Sequence, residues 1–150
     1  MEIRKNRIKQ RLKEGKHVIA IENLNDPDTV EQFAPNDPHC FWFEGEHFNV
    51  NPQNIGDLTR ASDLINATSI VRVPRPEYQA IYHALDLGAQ GVAVPHVKNK
   101  VDAELVVKAS KFSSIGQRGM FISRQGIGVD DYFQKANNET FVLVFIEDLE

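Results

Sequence analysis

Cysteine is almost missing: Cys40 is the single one in 150 residues, which excludes an intramolecular disulfide and any multi-cysteine zinc site. With no secretory h-region either, a reducing cytoplasm is the expected compartment. Long apolar runs are also lacking. The longest, Phe141 to Ile146, falls far short of the ~20 residues that span a bilayer, so no membrane partner is expected. Neither sign of charge dominates, with 17 Lys and Arg against 21 Asp and Glu. The one basic concentration is N-terminal, where Arg4, Lys5, Arg7, Lys9, Arg11, Lys13 and Lys16 face only Glu2 and Glu14. No aromatic residue is interleaved there to stack on bases, so a solvated helix is expected and no nucleic-acid partner.

What remains is an ordinary globular composition, 41% hydrophobic and 25% charged, with no linker or low-complexity stretch. Short β-branched or aromatic runs alternate with helical periodicity, the pattern of βαβ units and a parallel sheet. Strands are expected near His17 to Ile21, Phe41 to Phe43, Ser69 to Val73, Gly91 to Val94, Met120 to Ile122 and Phe141 to Ile146. A basic helix over Ile3 to Lys13 is stopped by Gly15. The next begins at Asn51-Pro52, an N-cap followed by a first-turn proline. Another runs from after Pro76 to Gly88, which suits a left-handed C′ position. A further one starts near Lys100, with Asn99 and Asp102 spaced as N-cap and N3, and a short one covers Asp130 to Lys135.

The strands recur about every 20 to 28 residues, the spacing of a (β/α)8 barrel, which typically needs about 250 residues. The fold expected is therefore α/β, either an open doubly wound sheet or, favoured by the end of the chain directly after a strand, a (β/α)8 TIM barrel truncated after about six strands. Residues 1–150 would form one partial barrel domain, with the C-terminal strands absent.

In parallel α/β sheets ligands bind at the carboxyl ends of the strands. Three apolar runs end there in ionisable groups: Phe41-Trp42-Phe43 in Glu44-Gly45-Glu46-His47, Ile70-Val71 in Arg72, and Val142 to Ile146 in Glu147-Asp148. Glu147 offers a hard oxygen ligand for Mg²⁺ or Mn²⁺. Arg72 offers a fixed cation for a developing enolate oxygen or a carboxylate. His47 offers an imidazole, a side chain suited to proton transfer. Together these types describe metal-assisted carbon–carbon bond cleavage or formation.

At these residues the sequence resembles the HpcH/HpaI family of metal-dependent (class II) pyruvate aldolases. The likeness runs through Glu44-Gly45-Glu46-His47, Val71-Arg72-Val73-Pro74, Leu85-Asp86-Leu87-Gly88-Ala89, Pro95-His96-Val97, Gly116-Gln117-Arg118-Gly119, Asp131-Tyr132 with Ala136-Asn137, and Val142 to Glu147. The resemblance implies a (β/α)8 barrel using a divalent ion (Mg²⁺, Mn²⁺ or Co²⁺), with Glu147 and a later aspartate as its ligands. It implies that Arg72 contacts a 2-oxo acid, and that His47 pairs with Asp86, which can come from a neighbouring subunit of a homo-oligomer, commonly a hexamer. The reaction implied is reversible cleavage of a 4-hydroxy-2-oxo acid to pyruvate and an aldehyde. The chain departs from the family at Glu44, usually aspartate, and at Phe145, a substrate-side position usually held by glutamine. The second metal carboxylate lies beyond Glu150.

Two other functions fit the same residues: a non-catalytic barrel remnant binding a 2-oxo acid or a protein partner, and a citrate-lyase-like enzyme acting on acyl-CoA esters. Cys40 and His39 point to opposite strand faces, so an inert buried thiol is expected. Gly126-Ile127-Gly128 is too short for a dinucleotide fingerprint and reads as a mobile loop. His83 and His17 read as packing or surface residues. His96, after Pro95 at a strand end, and Arg118 are further candidates for the pocket rim.

Overall fold

The computed structural model describes residues 1–149. Its elements run α1 (Arg7–Lys13), β1 (Ala20–Glu22), α2 (Pro27–Glu31), β2 (Cys40–Glu44), α3 (Ile55–Leu64), β3 (Thr68–Arg72), α4 (Tyr78–Asp86), β4 (Gly91–Val94), α5 (Lys100–Ser110), α6 (Tyr132–Glu139) and β5 (Phe141–Val144). All five strands are parallel, in the spatial order β1-β2-β3-β4-β5. This order decides between the two sheets expected from the sequence. A doubly wound sheet reverses its order at a switch point, whereas here each strand adds to the same side of its predecessor, as in a barrel wall.

Side-chain alternation then separates two faces. Phe41, Phe43, Val71, Val92 and Val94 point outward and join Val30, Leu58, Ile81, Leu85 and Val106 of α2 to α5 in one buried cluster. Cys40, Ile70 and Ala93 point the other way and pack with Trp42, Leu143, Phe145 and Ile8 of α1. Helices α2 to α5 thus cover one face. The other forms the inner wall, which carries the residues of interest to one end.

Sequence signals place several boundaries well. Gly15 and Gly88 sit at φ +69° and +106° behind α1 and α4, and the Asn99 side chain accepts the Asp102 N–H at 3.0 Å. Other expectations change. Asn51 closes a turn of its own, accepting from Asn54 and Ile55 N–H at 3.1 Å, so α3 starts three residues later than its proline suggests. Met120 to Ile122 is not a strand. β5 pairs directly with β4, so no slot lies between them, and the three side chains are 68, 58 and 53% exposed. The described residues therefore hold five strands rather than about six. Gly126 is buried against the Tyr132 ring, and the N-terminal amine donates to Gly128 O at 2.6 Å, which ties down the segment expected to be loose.

The basic N-terminal segment is more than a solvated helix, because it closes the floor of the wall. Arg4 donates to Ala67 O at 2.9 Å and pairs with Asp63 Oδ1 at 2.5 Å. Asn6 donates to Gln90 O at 3.1 Å and Glu139 O at 2.9 Å, and Arg7 N–H donates to Thr68 Oγ1 at 2.9 Å. Ala67 O, Gln90 O and Glu139 O lie just before β3, β4 and β5, and Thr68 opens β3, so the segment satisfies polar groups at the strand starts.

Candidate active site

Register explains why acids and a guanidinium meet at the far end. Glu44 is the last residue of β2 and Arg72 the last of β3, and the two are direct partners across the ladder. Both project from the inner face, since Trp42 and Ile70 lie two residues before them. Arg72 Nη1 is 3.4 Å from Glu44 Oε2, Nη2 lies against Glu46 Oε2, and Nη2 is 3.6 Å from Glu147 Oε1. The guanidinium also rests on the Phe145 ring, 4.5 Å from its centroid. Phe145 is braced in turn by Trp42, with ring centroids 6.0 Å apart at 90°.

Gly45 allows this crowding. Its N–H donates to Arg72 O at 2.9 Å, and a Cβ at this position would lie 2.5 Å from that oxygen, so only glycine lets the β2 tip lie flat on the β3 end. Burial pushes the Glu44 carboxyl up, but the Glu46 and His47 N–H groups, the Trp42 indole and Arg72 outweigh it and hold Glu44 below the ordinary carboxylate range. The turn places Glu46 inward and His47 outward. His47 is 64% exposed, with Nε2 at 3.3 Å from Glu46 Oε2.

The structure therefore brings Arg72, Glu147 and Phe145 into direct contact and sets His47 beside them through Glu46. Asp86 lies elsewhere. As the last residue of α4, which runs back against the strands, it sits at the level of the strand starts, where Arg118 Nε and Nη2 both donate to Oδ1, at 3.1 and 2.6 Å. Within one chain His47 and Asp86 do not meet. Arg118 is not on the rim either: it is 4% exposed and stacks on Phe112 at 4.4 Å, a structural anchor beneath α4. Cys40 is buried as expected, and burial pushes its thiol up to about 12, while His39 turns away to accept Ile19 N–H.

His96 is at the rim. Its Nε2 is 3.2 Å from Glu46 Oε1, its Nδ1 is 3.3 Å from Asp148 Oδ2, and its backbone N–H donates to Glu147 Oε1 at 3.2 Å. The Pro95-His96 strand end was the only signal for it. Carboxylate oxygens of this kind suit a hard divalent ion. The contacts to Glu147 from Arg72 and His96 all fall on Oε1, so Oε2 fits as a donor. Among the described residues no three His, Cys, Asp or Glu groups are arranged to hold a metal ion.

The HpcH/HpaI aldolase/citrate lyase profile matches residues 22–149. The chain belongs to this family. It is similar to a 4-hydroxy-2-oxovalerate aldolase of Novosphingobium aromaticivorans, 33% identical over 131 residues, spanning 83% of this chain and 48% of that protein. It is also similar to a 4-hydroxy-2-oxo-heptane-1,7-dioate aldolase of Escherichia coli (strain SE11), 29% identical over 150 residues, spanning 97% of this chain and 57% of that protein. Among solved structures, an HpcH/HpaI aldolase/citrate lyase family protein from Burkholderia cenocepacia J2315 superposes with a TM-score of 0.86 at 26% identity, over 96% of this chain and 60% of that one. The citrate synthase SbnG superposes at 0.83 with 31% identity, over 95% and 56%. The chain thus spans about half the length of the relatives it matches. As an HpcH/HpaI family fold, the five-stranded wall is part of a (β/α)8 barrel, and its charged end is the barrel mouth.

Proposed function

We propose that this HpcH/HpaI chain carries the chemistry of a metal-dependent aldolase, a carbon–carbon lyase that reversibly cleaves a 4-hydroxy-2-oxo acid to pyruvate and an aldehyde. The observation that carries the reading is the Arg72 guanidinium facing Glu147 at 3.6 Å across the barrel mouth. Cleavage breaks the C3–C4 bond. The 4-hydroxyl loses its proton, C4 leaves as the aldehyde carbonyl, and the bond pair becomes the pyruvate enolate, which takes a proton at C3.

Arg72 supplies planar N–H donors to the oxygen on which negative charge develops. Stacking on Phe145 and pairing with Glu44 hold its plane still, so that little reorganisation remains for the reaction. Phe145 thus supports Arg72 through its π face where a polar residue would use a hydrogen bond, and it lines the oxo-acid side of the site. His47, open to solvent on one edge and close to Glu46 on the other, takes the 4-hydroxyl proton in cleavage and returns it in synthesis. Glu147 would hold the divalent ion (Mg²⁺, Mn²⁺ or Co²⁺), with the remaining ligands from substrate, water and groups outside the described residues. Such an ion, when bound, polarises the 2-oxo group as a Lewis acid. Because Asp86 sits at the opposite end of its own chain, its pairing with His47 requires a second copy, in keeping with the homo-oligomer, commonly a hexamer, that the family resemblance implies.

The test supplies Mg²⁺, Mn²⁺ or Co²⁺ with pyruvate and small aldehydes and follows adduct formation by NMR. Turnover should appear, and Arg72→Ala should lower kcat/KM by about 10²- to 10³-fold. No turnover with any of the three ions, or undiminished turnover in the variant, counts against the reading. The similarity to a citrate synthase favours one second reading, a citrate-lyase-like enzyme, for which acyl-CoA esters would replace the aldehydes as productive substrates.

A further inference from the structure

The residue that touches Glu147 most closely is neither Arg72 nor His47. It is His96, two residues past β4, at a backbone φ of +55°. Left-handed backbone is uncommon for a non-glycine residue and is retained only where the surroundings fix it. Here the ring is tied on both sides, Nε2 to Glu46 Oε1 at 3.2 Å and Nδ1 to Asp148 Oδ2 at 3.3 Å, which joins the tip of β2 to the tail of β5. The chain before His96 is buried at Pro95, and Val97 N–H after it is fixed to Phe145 O at 3.0 Å. The corner is therefore held from three directions. Its outcome is one aimed donor, the His96 N–H on Glu147 Oε1 at 3.2 Å.

We propose that the Pro95-His96 corner is the positioning device for Glu147: its left-handed turn aims the His96 N–H at Oε1, which turns Oε2 toward the mouth to receive a divalent cation. An outer partner of this kind fixes the rotation of a carboxylate ligand and typically accounts for 10- to 100-fold in metal affinity. The fixed atom is a backbone N–H, so the effect depends on whether the residue at this position tolerates φ near +55° rather than on the imidazole itself. The inference rests on the proposed function in one respect, that Glu147 faces a divalent ion.

Mn²⁺ binding to the full chain, read by electron paramagnetic resonance of the free ion, tests it without any turnover. His96→Ala disfavours the left-handed corner and should weaken Mn²⁺ about 10-fold or more. His96→Asn and His96→Gly lose the ring contacts but tolerate the corner, and both should bind within about threefold of the parent. Thermal unfolding of each variant establishes that the fold is retained, and a purely structural role would move the unfolding temperature without separating alanine from asparagine. Equal Mn²⁺ affinity in the alanine, asparagine and glycine variants overturns the positioning role. Parent affinity that Glu147→Gln leaves unchanged, or a parent that binds no Mn²⁺, overturns the functional reading beneath it as well.

Discussion

The two ends of this barrel wall use charge in opposite ways. At the floor, each of several cations has a carboxylate or carbonyl partner. Arg4 and Arg124 share Asp63, Arg7 pairs with Asp37 at 2.8 Å, Arg118 with Asp86, and Lys111 donates to Asn137 O and Thr140 O at 2.6 and 2.8 Å. At the mouth, Glu44, Glu46 and Glu147 crowd around Arg72, and Asp148 lies beside His96 at 3.3 Å and Lys98 at 3.8 Å. Among the described residues, four carboxylates there stand against two permanent cations, and such an excess costs stability unless a cation or ligand relieves it. The floor is built to hold the fold. The mouth carries the unbalanced charge.

The largest effect that would break this contrast belongs to Asp63→Ala. Two arginines at the floor would lose their shared carboxylate, and we expect a loss of about 2 to 3 kcal/mol in denaturant unfolding, with activity per folded molecule unchanged. A matching loss of activity would mean that the ends are not separate. Next comes Phe145→Leu at the mouth, which removes the face beneath Arg72. The expected result is a fall in kcat/KM of about 3- to 10-fold, the size of an interaction near 1 kcal/mol, with a stability change small beside that of Asp63→Ala.

The contrast can also be sharpened by a pH dependence at the floor. Burial, with help from Lys9 and Arg118, lowers the Lys111 ammonium from 10.5 to about 8. Between those values the unfolded chain binds the additional proton, so this group makes stability rise with pH from about 8 to 10.5. The Cys40 thiol, raised from 9.0 to about 12, acts oppositely over part of the same range. The measurement is therefore the difference between the parent and Lys111→Met in urea midpoints from pH 7 to 10. That difference should shift in favour of the parent as pH rises, and a flat difference would contradict the assignment.

Much of the mouth could be read before any coordinates. The period of two along Trp42-Glu44 and Ile70-Arg72 puts acid and guanidinium on one face, and the parallel pattern puts them at one end. Residues whose places follow from strand phase, Arg72, Glu147 and Phe145, were therefore legible. His96 was only half legible, because nothing in a sequence marks a histidine for left-handed backbone. Asp86 illustrates a different limit, since helix periodicity gives its face but its partner Arg118 comes from an irregular segment. Met120 to Ile122 shows that three apolar residues in a row make a strand only where the sheet has an open position, a fact of topology rather than propensity. The floor was missed for a related reason. Alternating basic residues look the same whether they face water or strand-start carbonyls, and α2 escaped notice although Asp26-Pro27 carries both an N-cap and a first-turn proline.

The close approach at Gly45 has a mechanical consequence. With its amide fastened to the Arg72 carbonyl and no room for a methyl group between the two chains, the hinge of the Glu46-His47 turn is welded to the strand that carries the guanidinium. Any pull on the His47 ring is passed to that strand tip, so the imidazole and the guanidinium shift together as one moving part.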